Sequence, residues 1–247
     1  MITEADLLGA FEVHSPDGIK SALDTGISPL KLIKGKRPID CLIEGYLRSS
    51  RFADCLRVML AAGADLGDSL AQAVLLDDAE ALKTQIANDP AVRSRRLTLL
   101  TAFTSCRNVT PLHICAEFNS IECGKLLIEA GADVNAPSLV DSFGFGGQTP
   151  LFHTVNSNFN YCRPMMEVLV SAGASLNVRV PMLLWGEMMP WETIVFDTTP
   201  VSYTQCGLFR QFHRDERDIY DNIAFLVSAR TGSAPPRRNV PNQYLAG

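Results

Sequence analysis

The sequence predicts an all-α solenoid of about six stacked helix-turn-helix units with β-hairpin or loop fingers, and three recurring features indicate this fold. An apolar helical stretch ends three times in Gly-Ala-Asp or Gly-Ala-Ser, at Gly63, Gly131 and Gly173. The spacing of the first two glycines is close to twice a period of about 33 residues, which is typical of a repeat protein. A Thr-Pro pair opens a helical pattern at Thr110 and again at Thr149.

Three further units have a similar pattern but lack the complete Gly-Ala-Asp or Gly-Ala-Ser ending. The segments near the N-terminus and over 69–90 each show two apolar helical patches around a polar turn. Another Thr-Pro pair at Thr199 opens the last unit. We therefore predict one repeat domain over 1–230 and an extended tail, rich in Pro and Gly, over 231–247. The predicted units are 5–30, 36–67, 69–90, 109–136, 148–178 and 199–229, with an enlarged hairpin over 179–198.

The clearest unit is "VTPLHICAEFNSIECGKLLIEAGADVNA", residues 109–136. Pro111 suits the first turn of a helix because its fixed φ is helical and its missing N–H is not needed there. Leu112 and Leu127 belong to apolar stripes at helical spacing, and Gly131 supplies the left-handed residue that ends the second helix. Two short helices cannot bury enough apolar surface to offset the ordering of about 33 residues. Neighbouring units must therefore cover them.

This unit resembles an ankyrin repeat, from Thr110-Pro111-Leu112-His113 through Gly131-Ala132-Asp133. The units over 148–178 and 36–67 are similar but looser, and the turn of the latter is longer. The resemblance implies a stack of helix pairs that binds other proteins through its hairpin tips and concave face. The residues that match the structural signature are Thr110, Pro111, His113, Gly131, Thr149, Pro150 and Gly173.

Two positions of the clearest unit carry specific expectations from the resemblance. It implies that His113 is structural and that its ring holds the turn of an adjacent unit by hydrogen bonds. Gly124 stands where the family usually has a branched aliphatic residue. This difference predicts a local weakness in the second helix of the unit.

Composition and charge exclude several classes of partner. The chain has 22 Lys and Arg against 27 Asp and Glu, a formal net charge of −5, which favours neither nucleic acid nor an anionic membrane surface. No stretch is long and apolar enough to predict a membrane span, and the N-terminus lacks the pattern of a secretion signal. The seven cysteines are scattered, which is typical of reduced thiols in a cytoplasmic protein. We expect a cytoplasmic monomer.

Catalytic and metal-binding motifs are not apparent in the sequence. Its four histidines form no metal-binding pair at helical spacing and do not accompany a nucleophile motif. Cys106, His113, Cys115 and Cys123 are close in sequence, but their spacing fits no zinc template. We therefore predict no catalytic residue, no metal and no cofactor.

Three insertions interrupt the repeat pattern, at 91–108, 137–148 and 179–198. Insertions in a solenoid fall in loops, often on the binding side. The last insertion holds both tryptophans, Trp185 and Trp191. It is either a lid over the core of the last repeat or an exposed anchor for a partner. The second and third insertions are expected to lie side by side.

The function predicted from these features is non-catalytic binding of another protein through the hairpin tips and the concave face. An alternative is an enzyme or regulatory site in the last hairpin and helix pair, and a third is a self-associating module. The predicted contact residues are Phe143, Phe145, Phe152, Asn156, Trp185, Met188, Met189, Trp191 and Tyr203. The polar residues of the alternative site are Glu192, Asp197, His213, Arg214 and Asp215.

Overall fold

The structure, a computed structural model, describes residues 2–102, 104–184, 193–209, 212, 214–233 and 235. Its α-helices are α1 (Glu4–Glu12), α2 (Pro16–Asp24), α3 (Pro38–Glu44), α4 (Phe52–Ala61), α5 (Ser69–Leu75), α6 (Ala79–Asn88), α7 (Pro111–Phe118), α8 (Ile121–Glu129), α9 (Arg163–Ser171), α10 (Pro200–Cys206) and α11 (Glu216–Thr231). Its strands are β1 (Leu97–Leu99), β2 (Cys106–Val109), β3 (Val180–Leu184) and β4 (Thr193–Thr198). Short 3-10 helices cover Pro90–Ser94, Pro150–His153 and Asn158–Asn160.

The helices form a stack of successive pairs, and corresponding helices of neighbouring pairs contact one another. The first helices of neighbouring units contact one another, as α1 does with α3 and α5 with α7. The second helices do the same, as α2 does with α4, α6 with α8 and α8 with α9. One continuous apolar core runs from Leu7 in α1 to Leu226 in α11. The predicted all-α stack is confirmed. We call the first helices the inner helices.

The fourth unit shows how the sequence builds a helix pair. Thr110 caps α7, with its backbone N–H donating to His113 Nδ1 at 3.2 Å. Asn119 ends α7 in the left-handed conformation, with φ of 56°. Leu112 on α7 and Leu127 on α8 are fully buried. The spacing of apolar residues in the sequence therefore predicted the buried face of both helices correctly.

His113 joins the fourth unit to the fifth. Its Nε2 donates to the carbonyl oxygen of Gln148 at 3.0 Å, directly before the Thr-Pro pair of the next unit. The ring is completely buried. Burial, with a smaller contribution from His153, lowers the pKa of His113 to about 3. The ring is thus a neutral, structural link between the two units.

Gly124 is a close-approach position, and the expectation of a local weakness there is wrong. A Cβ placed on Gly124 would overlap the thioether end of Met165 in α9, with 2.8 Å to its Sδ. Met165 is fully buried. The missing side chain in α8 is therefore filled by a methionine from the next unit, whose flexible chain suits an irregular gap.

The fifth unit lacks a regular inner α-helix. A 3-10 helix covers Pro150–His153 only, and a second follows over Asn158–Asn160. Between them the chain carries short polar and β-branched residues, which compete with or disfavour helical hydrogen bonding. Phe159 has a φ of 51°, which disrupts the second 3-10 helix. Among the described residues, no helix has both the length and the apolar character needed to cross a membrane.

We predict that Leu127→Ala lowers the free energy of unfolding by about 2–5 kcal/mol, because the leucine is fully buried and truncation leaves a cavity. Its helix α8 packs against α6, α7 and α9, so three elements lose contacts. Urea unfolding followed by circular dichroism measures the loss. Leu126→Ala is the control, since its side chain is only partly buried, and it should cost clearly less. Equal losses at the two positions would contradict the assigned helix face.

A second prediction concerns the stability of the protein at acidic pH. Burial, with the charges of Arg48 and Arg51, lowers the pKa of His14 to about 4, below the 6.5 of an exposed imidazole. The unfolded chain therefore binds a proton that the folded chain excludes. The stability contribution of His14 is complete above pH 6.5 and falls by about 1.4 kcal/mol per pH unit as the pH drops towards 4.

The slope of unfolding free energy against pH, measured between pH 6 and 4.5, tests this contribution. His14→Gln should flatten the slope by about 1.4 kcal/mol per pH unit. Ser49→Ala, which removes the hydroxyl 2.8 Å from His14 Nδ1, should lower stability but keep the slope, since burial of the ring is the main cause. A slope unchanged by His14→Gln would contradict the assignment.

Candidate functional site

Three fingers lie side by side along one edge of the stack. They are the β1–β2 hairpin (97–109), the loop over 137–148 and the β3–β4 hairpin (180–198). Leu139 N–H donates to the carbonyl of Arg107 at 3.4 Å, which joins the first two fingers. Gly146 N–H donates to the carbonyl of Pro181 at 3.5 Å, which joins the second to the third. The expected adjacency of the second and third insertions is confirmed. We call this set the finger row.

The finger row exposes large apolar side chains. Phe143, at the tip of the middle finger, is 84% exposed, and Phe196 on β4 is 70% exposed. The Asp141 carboxylate accepts the N–H groups of Phe143 and Phe145 at 2.9 Å each, so the turn presents Phe143 in a defined position. Phe145 is half-buried. Other exposed apolar residues of the row are Leu100, Leu139 and Val140.

Four predicted contact residues of the enlarged hairpin lie outside the described residues. They are Trp185, Met188, Met189 and Trp191. The strands on either side are described, and β3 pairs with β4 from Val180↔Thr198 to Leu184↔Thr193. The enlarged hairpin predicted from the sequence is therefore present. Whether its tip is a lid or an anchor stays a prediction.

A groove of about 390 Å³ separates the first finger from the inner helices α3 and α5. Its floor is aliphatic, with Leu97 and Ile43 buried in it. Among its charged residues, Arg37 donates to Asp40 at 2.6 Å, Asp68 pairs with Arg95, and Arg96 donates to the backbone carbonyls of Asn108 and Pro137. The residues that line the groove are Arg37, Asp40, Ile43, Leu66, Asp68, Ala71, Arg96, Leu97, Thr98, Leu99 and Leu100.

Three predicted contact residues lie in the interior, so the prediction is wrong for them. Phe152, Asn156 and Tyr203 belong to the inner side of the fifth and sixth units, and all three are buried. Asn156 Nδ2 donates to the backbone carbonyl of Tyr203 at 2.5 Å. A partner cannot contact these side chains while the stack is folded. The inner face that the family resemblance implies as open is closed at this end.

Two departures from the repeat pattern close that face. The β1–β2 hairpin bends over the inner helices, where Thr104 and Tyr203 place their hydroxyls 3.0 Å apart. The long turn after α3 reaches across from the second unit. Its Tyr46 hydroxyl donates to the carbonyl of Phe212 at 2.9 Å. Side chains that would face solvent in an open solenoid are therefore covered by the chain itself.

A buried polar cluster lies beneath this cover. We call it the central polar cluster, and its members are Arg48, Cys106, Glu117 and His153. Arg48 donates to Glu117 Oε1 from Nε at 3.0 Å and lies within 2.9 Å of it through Nη2. His153 Nδ1 is 3.1 Å from the other carboxylate oxygen, Oε2. The same nitrogen is 3.8 Å from Cys106 Sγ.

Each member of the central polar cluster comes from a different segment. Arg48 lies on the long turn of the second unit, where its guanidinium also donates to the carbonyl of Gly45 at 2.6 Å and lies over the ring of Phe118. Cys106 begins β2, Glu117 is near the end of α7, and His153 ends the 3-10 helix of the fifth unit. The longer turn is apparent in the sequence, but the buried position of Arg48 is not.

The cluster contains a cysteine and a histidine, which are common metal ligands. Of the four Cys and His residues that are close in sequence, only Cys106 belongs to it. In the described part of the chain, the donor atoms of Cys106, Glu117 and His153 all lie within 4.8 Å of one another. Both ring nitrogens of His113 are instead occupied by Thr110 and Gln148. Cys115 and Cys123 are core residues. Sequence spacing could not reveal the group because its members come from three separate elements.

Cys106 is not an activated nucleophile. Burial and the nearby Glu117 carboxylate raise the pKa of its thiol, so the thiol keeps its proton at neutral pH. Its side chain is also inaccessible to solvent. Acyl or group transfer to this sulfur therefore has no support from the geometry.

The alternative polar site in the last helix pair does not assemble from its described members. Asp197 is exposed, and Asp215 caps α11 by accepting the Arg217 N–H at 2.8 Å. Arg214 donates from Nε to the backbone carbonyl of Asn156 at 2.6 Å. Glu192 and His213 lie outside the described residues.

A family model for ankyrin repeats, three copies, matches residues 52–180, which is more than half of the chain. The chain belongs to the ankyrin-repeat family. One solved structure that resembles this ankyrin-repeat protein is the ankyrin repeat domain of Bcl-3, described as a unique member of the IκB protein family. It is 19% identical, with a TM-score of 0.39, and the match covers 88% of this chain and 80% of that chain.

The central polar cluster leads to a stability prediction for this ankyrin-repeat protein. Arg48→Ala should lower the free energy of unfolding by about 3–5 kcal/mol, since it leaves the buried Glu117 carboxylate without its cation. Arg57→Ala is the matched control, because Arg57 pairs with Asp54 on the surface, and it should cost less than about 1 kcal/mol. Chemical denaturation measures both. Similar costs for the two arginines would contradict the buried pair.

Proposed function

We propose that this ankyrin-repeat protein is a non-catalytic module that binds another protein through the finger row and the adjoining groove. Ankyrin repeats are generally protein-protein interaction modules. The exposure of Phe143 and Phe196 on neighbouring fingers is the observation that carries the proposal for this chain. Exposed aromatic side chains on a rigid frame are typical anchors of protein interfaces.

The finger row is a more suitable surface than the inner face near the fifth and sixth units. The inner residues there are covered by the β1–β2 hairpin and by the turn that carries Arg48. The exposed side chains of the row instead belong to hairpins and a loop that hydrogen-bond to one another. A partner would meet several preordered fingers at once, which limits the entropy lost on binding.

The groove between the first finger and α3 favours an apolar side chain of the partner. Its aliphatic floor is lined by Ile43, Leu66 and Leu97, while its Arg37 already pairs with Asp40. A charged group placed on this aliphatic floor would lose water, and the arginines at the groove edge already donate to a carboxylate or to backbone carbonyls. We therefore propose that the partner inserts an aliphatic or aromatic residue into this groove and rests on the exposed finger tips.

We propose further contacts in the segment between β3 and β4, on the grounds of its sequence. Trp185, Met188, Met189 and Trp191 lie between β3 and β4, and β4 carries the exposed Phe196. Trp and Met are common at interfaces because they offer large contact areas that adapt to a partner. These four residues are proposed contacts on that ground.

We further propose that the protein acts in the cytoplasm as a monomer. All seven cysteines are unpaired, and six of them are buried as small core residues, which suits a reducing compartment. The net charge of −5 supports neither nucleic acid nor an anionic lipid surface as the partner.

Affinity capture with three forms of the full chain tests the proposed surface. The wild type, the double variant Phe143→Ser/Phe196→Ser and the single variant Phe159→Ser are each immobilised and exposed to native extract. Phe159 is 85% exposed but lies in the turn of the fifth unit, away from the fingers, so it is a matched control. We expect the double variant to lose a partner that the other two forms retain, by about tenfold or more in affinity.

The captured protein is then purified and its affinity for each form is measured by calorimetry. Equal affinity for the wild type and the double variant would contradict the finger row as the binding surface. Loss of binding by Phe159→Ser alone would place the interface on the turn side instead. Circular dichroism of each variant excludes unfolding as the cause, since all three phenylalanines are exposed.

A further inference from the structure

We propose that Cys106, Glu117 and His153 bind one divalent transition-metal ion, with Zn²⁺ as the ion that best fits their chemistry. The three residues bring a sulfur, a carboxylate oxygen and an imidazole nitrogen within 4.8 Å of one another inside the protein. Cys106 belongs to the first finger, but its side chain is buried beneath the exposed surface of the row, and the site does not depend on the proposed binding function.

Two of the three donor separations match a tetrahedral zinc ion, and the third, from Cys106 Sγ to Glu117, is within 4.8 Å. Zn–S and Zn–N bonds of about 2.3 and 2.0 Å place S and N about 3.6 Å apart in a tetrahedron, and N and O about 3.3 Å apart. The Cys106 Sγ to His153 Nδ1 distance is 3.8 Å, and the His153 Nδ1 to Glu117 Oε2 distance is 3.1 Å. Small side-chain rotations that bring all three atoms to these separations would seat the ion.

The mixture of donor types selects the class of metal. Mg²⁺ and Ca²⁺ prefer oxygen donors and do not suit a site with sulfur and imidazole ligands. A set of thiolate, imidazole and carboxylate suits Zn²⁺, which accepts all three in a four-coordinate site.

Arg48 supplies the outer support that a ligating carboxylate needs. It holds Glu117 Oε1 through Nε at 3.0 Å, while Oε2 lies 3.1 Å from His153 Nδ1. Outer partners of this kind fix the orientation of metal ligands. The guanidinium also balances the carboxylate charge before a metal arrives.

A fourth ligand has space beside Glu117 and His153. A cavity of about 10 Å³ borders Glu117 and His153, and it is also lined by Thr104 and Tyr203. This volume accommodates about one water molecule. The paired hydroxyls of Thr104 and Tyr203 lie at the same cavity and offer hydrogen-bond partners for a metal-bound water.

Binding the ion requires the loss of one proton. The Cys106 thiol releases its proton to solvent and forms a sulfur–metal bond. The imidazole proton of His153 moves from Nδ1 to Nε2, and the metal exchanges bound waters for the three side chains. No electron is transferred. The divalent charge stabilises the thiolate that burial otherwise disfavours. The ion would tie the β1–β2 hairpin to α7 and to the fifth unit, and so hold the cover over the inner helices.

Cobalt is the probe for the test, because a Co²⁺–thiolate bond gives an absorption band that Zn²⁺ removes by competition. Tag-free full-length protein, treated with a chelator, is titrated with Co²⁺ and then with Zn²⁺. We expect one ion per chain and a thiolate band. Cys106→Ser should weaken binding more than about 100-fold, beyond the 10- to 100-fold that loss of an outer partner costs.

Cys162→Ser is the matched control. Cys162 is also buried, and its Sγ lies 3.4 Å from the backbone carbonyl of Glu117, but it is not one of the three ligands. This variant should bind Co²⁺ as the wild type does. X-ray absorption of the Zn²⁺-loaded wild type should show one sulfur and otherwise nitrogen or oxygen ligands, and this measurement decides the matter even if Cys106→Ser fails to fold.

Three results would overturn the proposal. They are a wild type that binds no stoichiometric ion, a folded Cys106→Ser variant that binds as tightly as the wild type, and an absorption spectrum with two or more sulfur ligands. The last would indicate a site built from other cysteines.

Discussion

The buried ion pair between Arg48 and Glu117 is the contact on which the cover over the inner helices depends. It joins the second unit to the fourth and leaves both side chains almost without solvent. A buried carboxylate next to a buried guanidinium is tolerated only because each neutralises the other. The pair therefore requires the long turn after α3 to stay folded over the inner helices, and the β1–β2 hairpin completes the cover above it.

The repeated part of the fold could be predicted from the sequence because its causes are local. The helix faces of Leu112 and Leu127, the Thr-Pro starts and the glycine endings each follow from a few neighbouring residues. The link from His113 to the next unit followed from the family resemblance. The exposed tip at Phe143 also agreed with its position in an insertion between units.

The central polar cluster could not be predicted, for a physical reason. Arg48 and Glu117 meet across a sequence separation of 69 residues, and the contact depends on the path of an irregular turn. Cys106 and His153 meet across 47 residues. Hydrophobic spacing reports which face of a helix is buried, but not which distant side chain fills the space above it. For the same reason Phe152 and Tyr203 were expected at the surface.

The contact of Tyr46 with the last unit changes how the molecule should come apart. In a simple repeat array each unit touches only its neighbours, so a terminal unit can fray alone. Here the Tyr46 hydroxyl bonds to Phe212, 166 residues away, and Arg214 donates back to it at 3.0 Å. Opening the last helix pair thus breaks contacts of the second unit as well. Contacts between distant units therefore couple the two halves of the array. They unfold in one cooperative transition instead of one unit after another from an end.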